Sequence, residues 1–214
     1  APAGSKSGKV ILAELREANG GGGTIFIEVP CLDWISAHRA WFDIFYEHVN
    51  YFRLDDFRRM FGRVLESGHV FGGQYLYVVA DLASLRDPAA GGGVHFKFPS
   101  DFTASVARYA DQMRARQSAP GTAGSSVIWG GASKGVIFSL FMQRAGAKVD
   151  CVVDINPAKQ GRYLAATGLR VSSPEDMLRQ AAAGSDIYVM NGNYLPEIRQ
   201  MTQDRFNYLT VDHE

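Results

Sequence analysis

The sequence predicts an α/β protein of two lobes, the second built on a doubly wound parallel sheet. Three observations carry this. From residue 126 onward, short β-rich runs alternate with helical segments, the order that crossover connections between parallel strands require. Before that, a helical run, a block of glycines and a β-rich run follow one another over residues 10–29, which is half of an α/β unit. Between the lobes lies the stretch 118–126 (SAPGTAGSS), whose composition is that of a hinge.

The elements follow in order. Ile11, Leu12, Leu15 and Ala18 recur at helical spacing, and Asn19 with the glycines at 20–23 stops that helix. TIFIEV at 24–29 is a strand ended by Pro30. Residues 31–52 are aromatic-rich and read as irregular. Leu54, Phe57, Phe61 and Val64 then mark a second helix, with Asp55 and Asp56 in its first turn, where carboxylates suit the positive end of the dipole. Two strands come next, about 64–71 and 74–80, joined by a tight turn at Gly72 and Gly73. Residues 89–93 are a glycine-rich loop, and Phe102, Val106, Tyr109 and Met113 mark a long amphipathic helix.

In the second lobe Val127, Ile128 and Trp129 form a strand that runs into Gly130-Gly131-Ala132-Ser133-Lys134-Gly135 and an apolar helix. A second strand spans about 149–155. Ser173-Pro174-Glu175-Asp176 opens a helix with a hydroxyl cap, a proline at the first helical position and an acid three residues after the cap. A strand at 187–190, a helix at 196–203 and a short strand at 208–211 complete the alternation.

Lys plus Arg balance Asp plus Glu, 22 against 22, so the global charge does not suggest a duplex nucleic-acid face. No apolar run reaches the length of a membrane span, and the first residues lack the charged head and apolar stretch of a secretory signal. Cys31 and Cys151 are far apart in apolar settings with no Cys-x-x-Cys pair, so a reducing compartment, the cytoplasm, and no metal site are expected.

Two segments carry candidate chemistry. The glycine-rich turn at 130–135 follows a strand and opens a helix, the context of a dinucleotide fingerprint. Gly130 and Gly135 fit its first and third glycines. Ala132 replaces the second, and Asp154 lies where a ribose-binding acid would end the next strand. Nicotinamide-dinucleotide binding, contact with another phosphate or nucleotide through Lys134, and a plain tight turn all remain open on spacing alone. The other segment is FDIFYEHVNYF at 42–52, which sets aromatic residues around Glu47 and His48. Imidazole titrates near neutrality and is the natural general base, and aromatic walls exclude water from it. A half-buried structural histidine is the other reading. His38, His69, His95 and His213 are isolated.

Several segments together resemble one family, the sugar C-methyltransferases that act on nucleotide-linked keto-sugars. TIFIEVP at 24–30 resembles the family's fifth methyltransferase strand. FDIFYEHVNYF resembles its FDxIYHEHxxYF signature, and FGGQYLYVV at 71–79 its HGGSLRVYV segment. WGGASKG at 129–135, VVDINPAKQGRYLAATGLRVSSPEDM at 152–177 and NGNYLPEI at 191–198 resemble its C-terminal domain. The chain departs from the pattern at Tyr46 (histidine in the family), at Arg53 (a Ser or Thr cap) and at Phe71 and Gln74 (histidine and serine).

The resemblance implies a partial methyltransferase-like lobe over residues 1–88, a linker and connecting helix over 89–125, and a Rossmann-like lobe over 126–214. It implies methyl transfer from S-adenosylmethionine to a sugar carbon next to a ketone. His48 would take the proton, with Glu47 and Tyr46 beside it. Tyr51, Gly72, Gly73, Gln74, Gly130, Lys134 and Asn193 would contact the nucleotide-sugar. Residues 9–81 would match the fourth helix and the fifth to seventh strands of that fold. The residues that bind S-adenosylmethionine are then expected outside this chain, and an N-terminal segment or a second copy is the expected partner. The alternatives are a non-catalytic module that holds a nucleotide-sugar or a partner through GGASKG, and a NAD(P)-dependent oxidoreductase built on the second lobe.

Overall fold

The computed structural model describes residues 8–46, 48–86, 96–118 and 124–211. Glu47, His95, His213, the whole glycine-rich loop expected at 89–93 and the centre of the expected hinge at 119–123 lie outside the described residues. The chain forms two compact units, and the division is not a single cut. One unit holds residues up to Ala37 together with Tyr46–Pro99. The other holds His38–Phe45 and the chain from Ser100 onward.

The first unit is built from α1 (Gly8–Ala18), β1 (Thr24–Pro30), α2 (Leu32–Ala37), α3 (Leu54–Met60), β2 (Val64–Val70) and β3 (Tyr75–Asp81). Its sheet has the order β1-β3-β2, with β3 antiparallel to both neighbours. Alternation along β3 buries Leu76, Val78 and Ala80 on one face. Leu12 of α1 and Phe57 of α3 join that face to make the core. On the opposite face Phe26 stacks on Tyr77 at 6.0 Å and stays 61% exposed. Residues 31–52 are less irregular than expected. They contain α2, which buries Leu32 and Ile35, and a 3-10 turn at Trp41–Asp43. Six residues with a single i, i+3 apolar pair are too short to show helical periodicity. α3 starts without a hydroxyl cap because Asp56 accepts the backbone N–H of Arg53 at 2.8 Å, the reciprocal half of a capping box. The Arg53 guanidinium pairs with Asp33 at 2.6 Å, and this hydrogen bond raises its pKa.

The second unit contains α4 (Ser105–Ser118), β4 (Ser126–Trp129), α5 (Ser133–Arg144), β5 (Cys151–Val153), β6 (Val171–Ser172), α6 (Pro174–Gln180), β7 (Asp186–Val189), α7 (Leu195–Met201) and β8 (Asn207–Thr210). The sheet order is β6-β5-β4-β7-β8 and every pairing is parallel. The two-residue β6 goes beyond the sequence expectation, and β5, Cys151–Val153, is shorter than expected at both ends. Val127, Trp129, Ile187 and Val189 face one way, against Met177 of α6 and Ile198 of α7. The alternate residue Tyr188 meets Phe138 of α5 at 5.6 Å and Tyr109 of α4 at 6.1 Å. Helices therefore cover both faces, and the short strands are buried on both sides, as parallel strands are. The doubly wound parallel sheet read from the sequence is the observed one.

Ser173 caps α6 as expected: its hydroxyl accepts the Asp176 N–H at 3.1 Å, and Pro174 fills the first helical position. Ser173→Ala is expected to cost about 1 kcal/mol, read as a lower urea midpoint. Both cysteines are free thiols, Cys31 buried and Cys151 half-buried, and burial pushes the Cys151 pKa up. No helix of the described residues is long and apolar enough to cross a membrane.

Candidate functional site

In the second unit the carboxyl ends of β4 and β7 lie side by side where the strand order reverses. In open parallel sheets this is where ligands bind. Two loops border the crevice: the glycine turn after β4 and the Asn191–Tyr194 turn after β7. Gly130 adopts φ +119°, reserved in practice for glycine, and its N–H donates to the Val153 carbonyl at 2.8 Å. Gly135 lets α5 lie directly on the strand end, since a Cβ there would sit 1.9 Å from the Gly130 carbonyl oxygen. This is the helix-packing role of the third fingerprint glycine. Asn193 is exposed, and its N–H donates to the Asn191 side-chain oxygen at 3.0 Å, an Asx turn that leads into α7.

Asp154 is engaged within its own motif. Its carboxylate is nearly buried and accepts the Gly131 N–H at 3.0 Å and the Asn156 N–H at 2.9 Å, and Lys159 reaches it at 3.0 Å. Gln160 donates to the Asp154 carbonyl at 3.0 Å. The motif 154–160 thus folds on itself around one carboxylate and fastens the glycine turn. The acid expected to bind a ribose, and the backbone N–H of Gly131, are spent on each other. Lys134 is likewise engaged: its ammonium lies 3.3 Å from Asp43 and 5.6 Å from the centre of the Phe42 ring.

In the first unit the residues around His48 and the β2–β3 turn are drawn together by backbone contacts. Cys31, just after β1, donates its N–H to the Gln74 carbonyl at 2.9 Å and forms a parallel bridge with Phe52. Leu32 donates to the Phe52 carbonyl at 2.9 Å. The turn Phe71–Gly73 is a 3-10 turn in which Phe71, Gly72 and Gly73 all have positive φ, at 52°, 65° and 95°. For Phe71 this is a strained conformation held by its surroundings, of the kind that gathers at functional sites. A Cβ on Gly73 would meet Trp34 of α2 at 3.1 Å.

The aromatic residues of 42–52 divide, which corrects the expectation that they enclose the histidine. Phe42 is buried in the second unit and Phe52 packs on Phe57 at 5.0 Å. Tyr46 is 69% exposed, His48 is exposed, and the Tyr51 ring lies 5.8 Å from the imidazole. The structure brings His48 beside Tyr51 and ties Gln74 to the Cys31–Phe52 bridge. Gly130 and Asn193 stand at the sheet end of the other unit. Sequence reading missed Cys31, Trp34 and Asp43, whose roles come from long-range packing that no local spacing signals. Among the described residues no group of three or more His, Cys, Asp or Glu side chains is placed to hold a metal ion.

A family model described as the C-methyltransferase C-terminal domain matches residues 84–207, more than half of the chain. No curated protein matches. The match spans the glycine turn, the Asp154 motif and the strands β4 to β7. The chain belongs to the family of C-methyltransferase C-terminal domains, a domain of enzymes of the methyltransferase kind.

Proposed function

We propose that the chain serves S-adenosylmethionine-dependent C-methylation of a nucleotide-linked keto-sugar, with His48 as the base that takes a proton from the carbon next to the ketone. The observation that carries this reading is the exposed His48 imidazole, with the Tyr51 ring at its side and the strained Phe71–Gly73 turn tied into the same unit through Cys31. A proton next to a carbonyl is acidified because the carbanion spreads onto the oxygen, and a positioned imidazole can remove it. Tyr51 orients the imidazole. Tyr46 and the backbone around Gly72, Gly73 and Gln74 offer hydrogen bonds to sugar hydroxyls. Glu47, adjacent in sequence, is read as supporting the imidazolium that forms.

The described residues do not fit the methyl donor. The one glycine-rich strand-to-helix turn gives its acid, Asp154, to its own backbone, and no other turn of that kind is found among the described residues. The steps assigned to this chain are therefore substrate holding and proton removal.

Proton removal can be tested without methyl transfer. Incubated in D2O with a nucleotide-linked keto-sugar, the full chain is expected to wash deuterium into the carbon next to the ketone. His48→Ala is expected to slow that exchange by about 10²–10⁴-fold, the usual contribution of a positioned base. Exchange at an undiminished rate in the variant would remove His48 from the role. The position of Gly130 and Asn193 at the sheet's switch point favours a second reading, a module that holds a nucleotide-sugar without chemistry. Binding of the sugar with no wash-in supports that one.

A further inference from the structure

We infer that Phe71 is a specificity-determining contact of the first unit, its ring packing against the apolar face of the keto-sugar. The inference deepens the reading given above and rests on a sugar being the ligand at the β2–β3 turn. Two properties of Phe71 conflict unless the ring has a use. It is 64% exposed, so burial stabilises it little. Its backbone sits at φ +52°, a region that bulky L residues avoid. Among the described residues it is the one aromatic with positive φ, and other exposed rings such as Phe26 and Tyr163 lie on ordinary backbone. Glycine or asparagine would meet the turn's backbone demand at lower cost. The strain is carried instead by a residue whose side chain adds little to the core.

The turn holds that ring firmly. The Gln74 N–H donates to the Phe71 carbonyl at 3.2 Å, and the Gln74 carbonyl accepts the Cys31 N–H at 2.9 Å. Val70 and Tyr75, which flank the turn, pair across β2 and β3. The Phe71 ring meets Tyr75 edge to face at 5.7 Å. A Cβ on Gly73 would lie 3.1 Å from the Trp34 ring, so that side of the turn is filled. Gly72 differs, since a Cβ built there meets nothing within 4 Å. Open space therefore adjoins the Gly72 backbone, one residue from the exposed ring. A phenyl ring has no hydrogen-bonding atom to offer. It offers a face of negative potential, which attracts the positively polarised C–H bonds of a sugar ring while both surfaces shed water. An apolar platform beside a few polar groups is the usual composition of a small-molecule site.

Calorimetric binding to the full chain tests this with two probes, a nucleotide-linked keto-sugar and the same nucleoside diphosphate without the sugar. Phe71→Asn keeps a residue that accepts positive φ. It is expected to weaken the nucleotide-sugar by about tenfold, the scale of one aromatic contact, and to leave the bare diphosphate unchanged. Phe71→Trp keeps an aromatic face and should hold the nucleotide-sugar as the parent does. The urea midpoint of Phe71→Asn should equal or exceed the parent's, because strain is relieved and little burial is lost. A lower midpoint would make the ring a packing element and overturn the inference. Equal weakening of both probes would make it a nucleotide contact and overturn it too, as would weakening of neither. A parent chain that binds the nucleotide-sugar without washing in deuterium removes the His48 base, and the affinities still decide Phe71. A parent chain that binds no nucleotide-sugar overturns the sugar reading and this inference with it.

Discussion

Asp154→Ala is expected to destabilise the C-terminal domain by about 2–3 kcal/mol, because it removes a nearly buried carboxylate that holds the buried Gly131 N–H. The Asp154 side chain is 9% exposed and accepts two backbone N–H groups besides Lys159. Truncation strands the N–H groups of Gly131 and Asn156, and Lys159 loses its counter-charge. The buried Gly131 N–H then costs its full desolvation, about 1–3 kcal/mol, and carries most of the loss, whereas exposed Asn156 and the half-buried Lys159 can turn to water. Asp154→Asn should cost less, since its amide oxygen still accepts, although its NH2 group then faces Lys159. Urea midpoints, with amide exchange followed over β4 and β5, measure the ranking. Equal midpoints for the alanine variant and the parent would mean that the carboxylate does not fasten the glycine turn.

Gly135→Ala is expected to be similarly severe, at about 3 kcal/mol, the upper end of overpacking costs. The added Cβ would fall 1.9 Å from the Gly130 carbonyl oxygen and 3.1 Å from its carbon, with Ile128 at 3.5 Å. The obstacle is backbone, so no rotamer change relieves it, and α5 must move off the end of β4. Gly131 gives the contrast within the same turn. Its Cβ would meet Val171 and Asp154 at 3.4 and 3.5 Å, ordinary contact distances, and its φ is not positive. Gly131→Ala should therefore stay within about 1 kcal/mol of the parent protein. Should Gly135→Ala match it in urea unfolding, the close approach of helix and strand is not what that glycine provides.

The glycine turn shows how far local spacing reaches. The order strand, GGASKG, helix identifies the turn, and Gly135 takes the packing role its position predicts. Spacing also puts Asp154 at the right distance for a ribose, and there it misleads. The same carboxylate is claimed at closer range by Gly131, Asn156 and Lys159, all within its own motif and turn. Competition between a ligand and an internal donor is decided by which polar groups are buried together, and sequence spacing does not report that. The aromatic segment teaches the same lesson from the other side. FDIFYEHVNYF reads as one enclosure around His48, yet its rings are shared between two cores and leave the histidine exposed.

The sequence by itself determined the α/β class, the parallel second sheet and the family resemblance. These rest on short-range features: β-rich runs, helical periodicity, caps and glycine turns, each encoded within a few neighbouring residues. Only the tertiary structure decided that His38–Phe45 belongs to the second unit, that Lys134 pairs with Asp43, and that Cys31 joins the Gln74 turn to Phe52. Those contacts link residues far apart in the chain. They depend on which groups end up buried together, as Trp41 and Asp43 do in the second unit, and no local spacing encodes that.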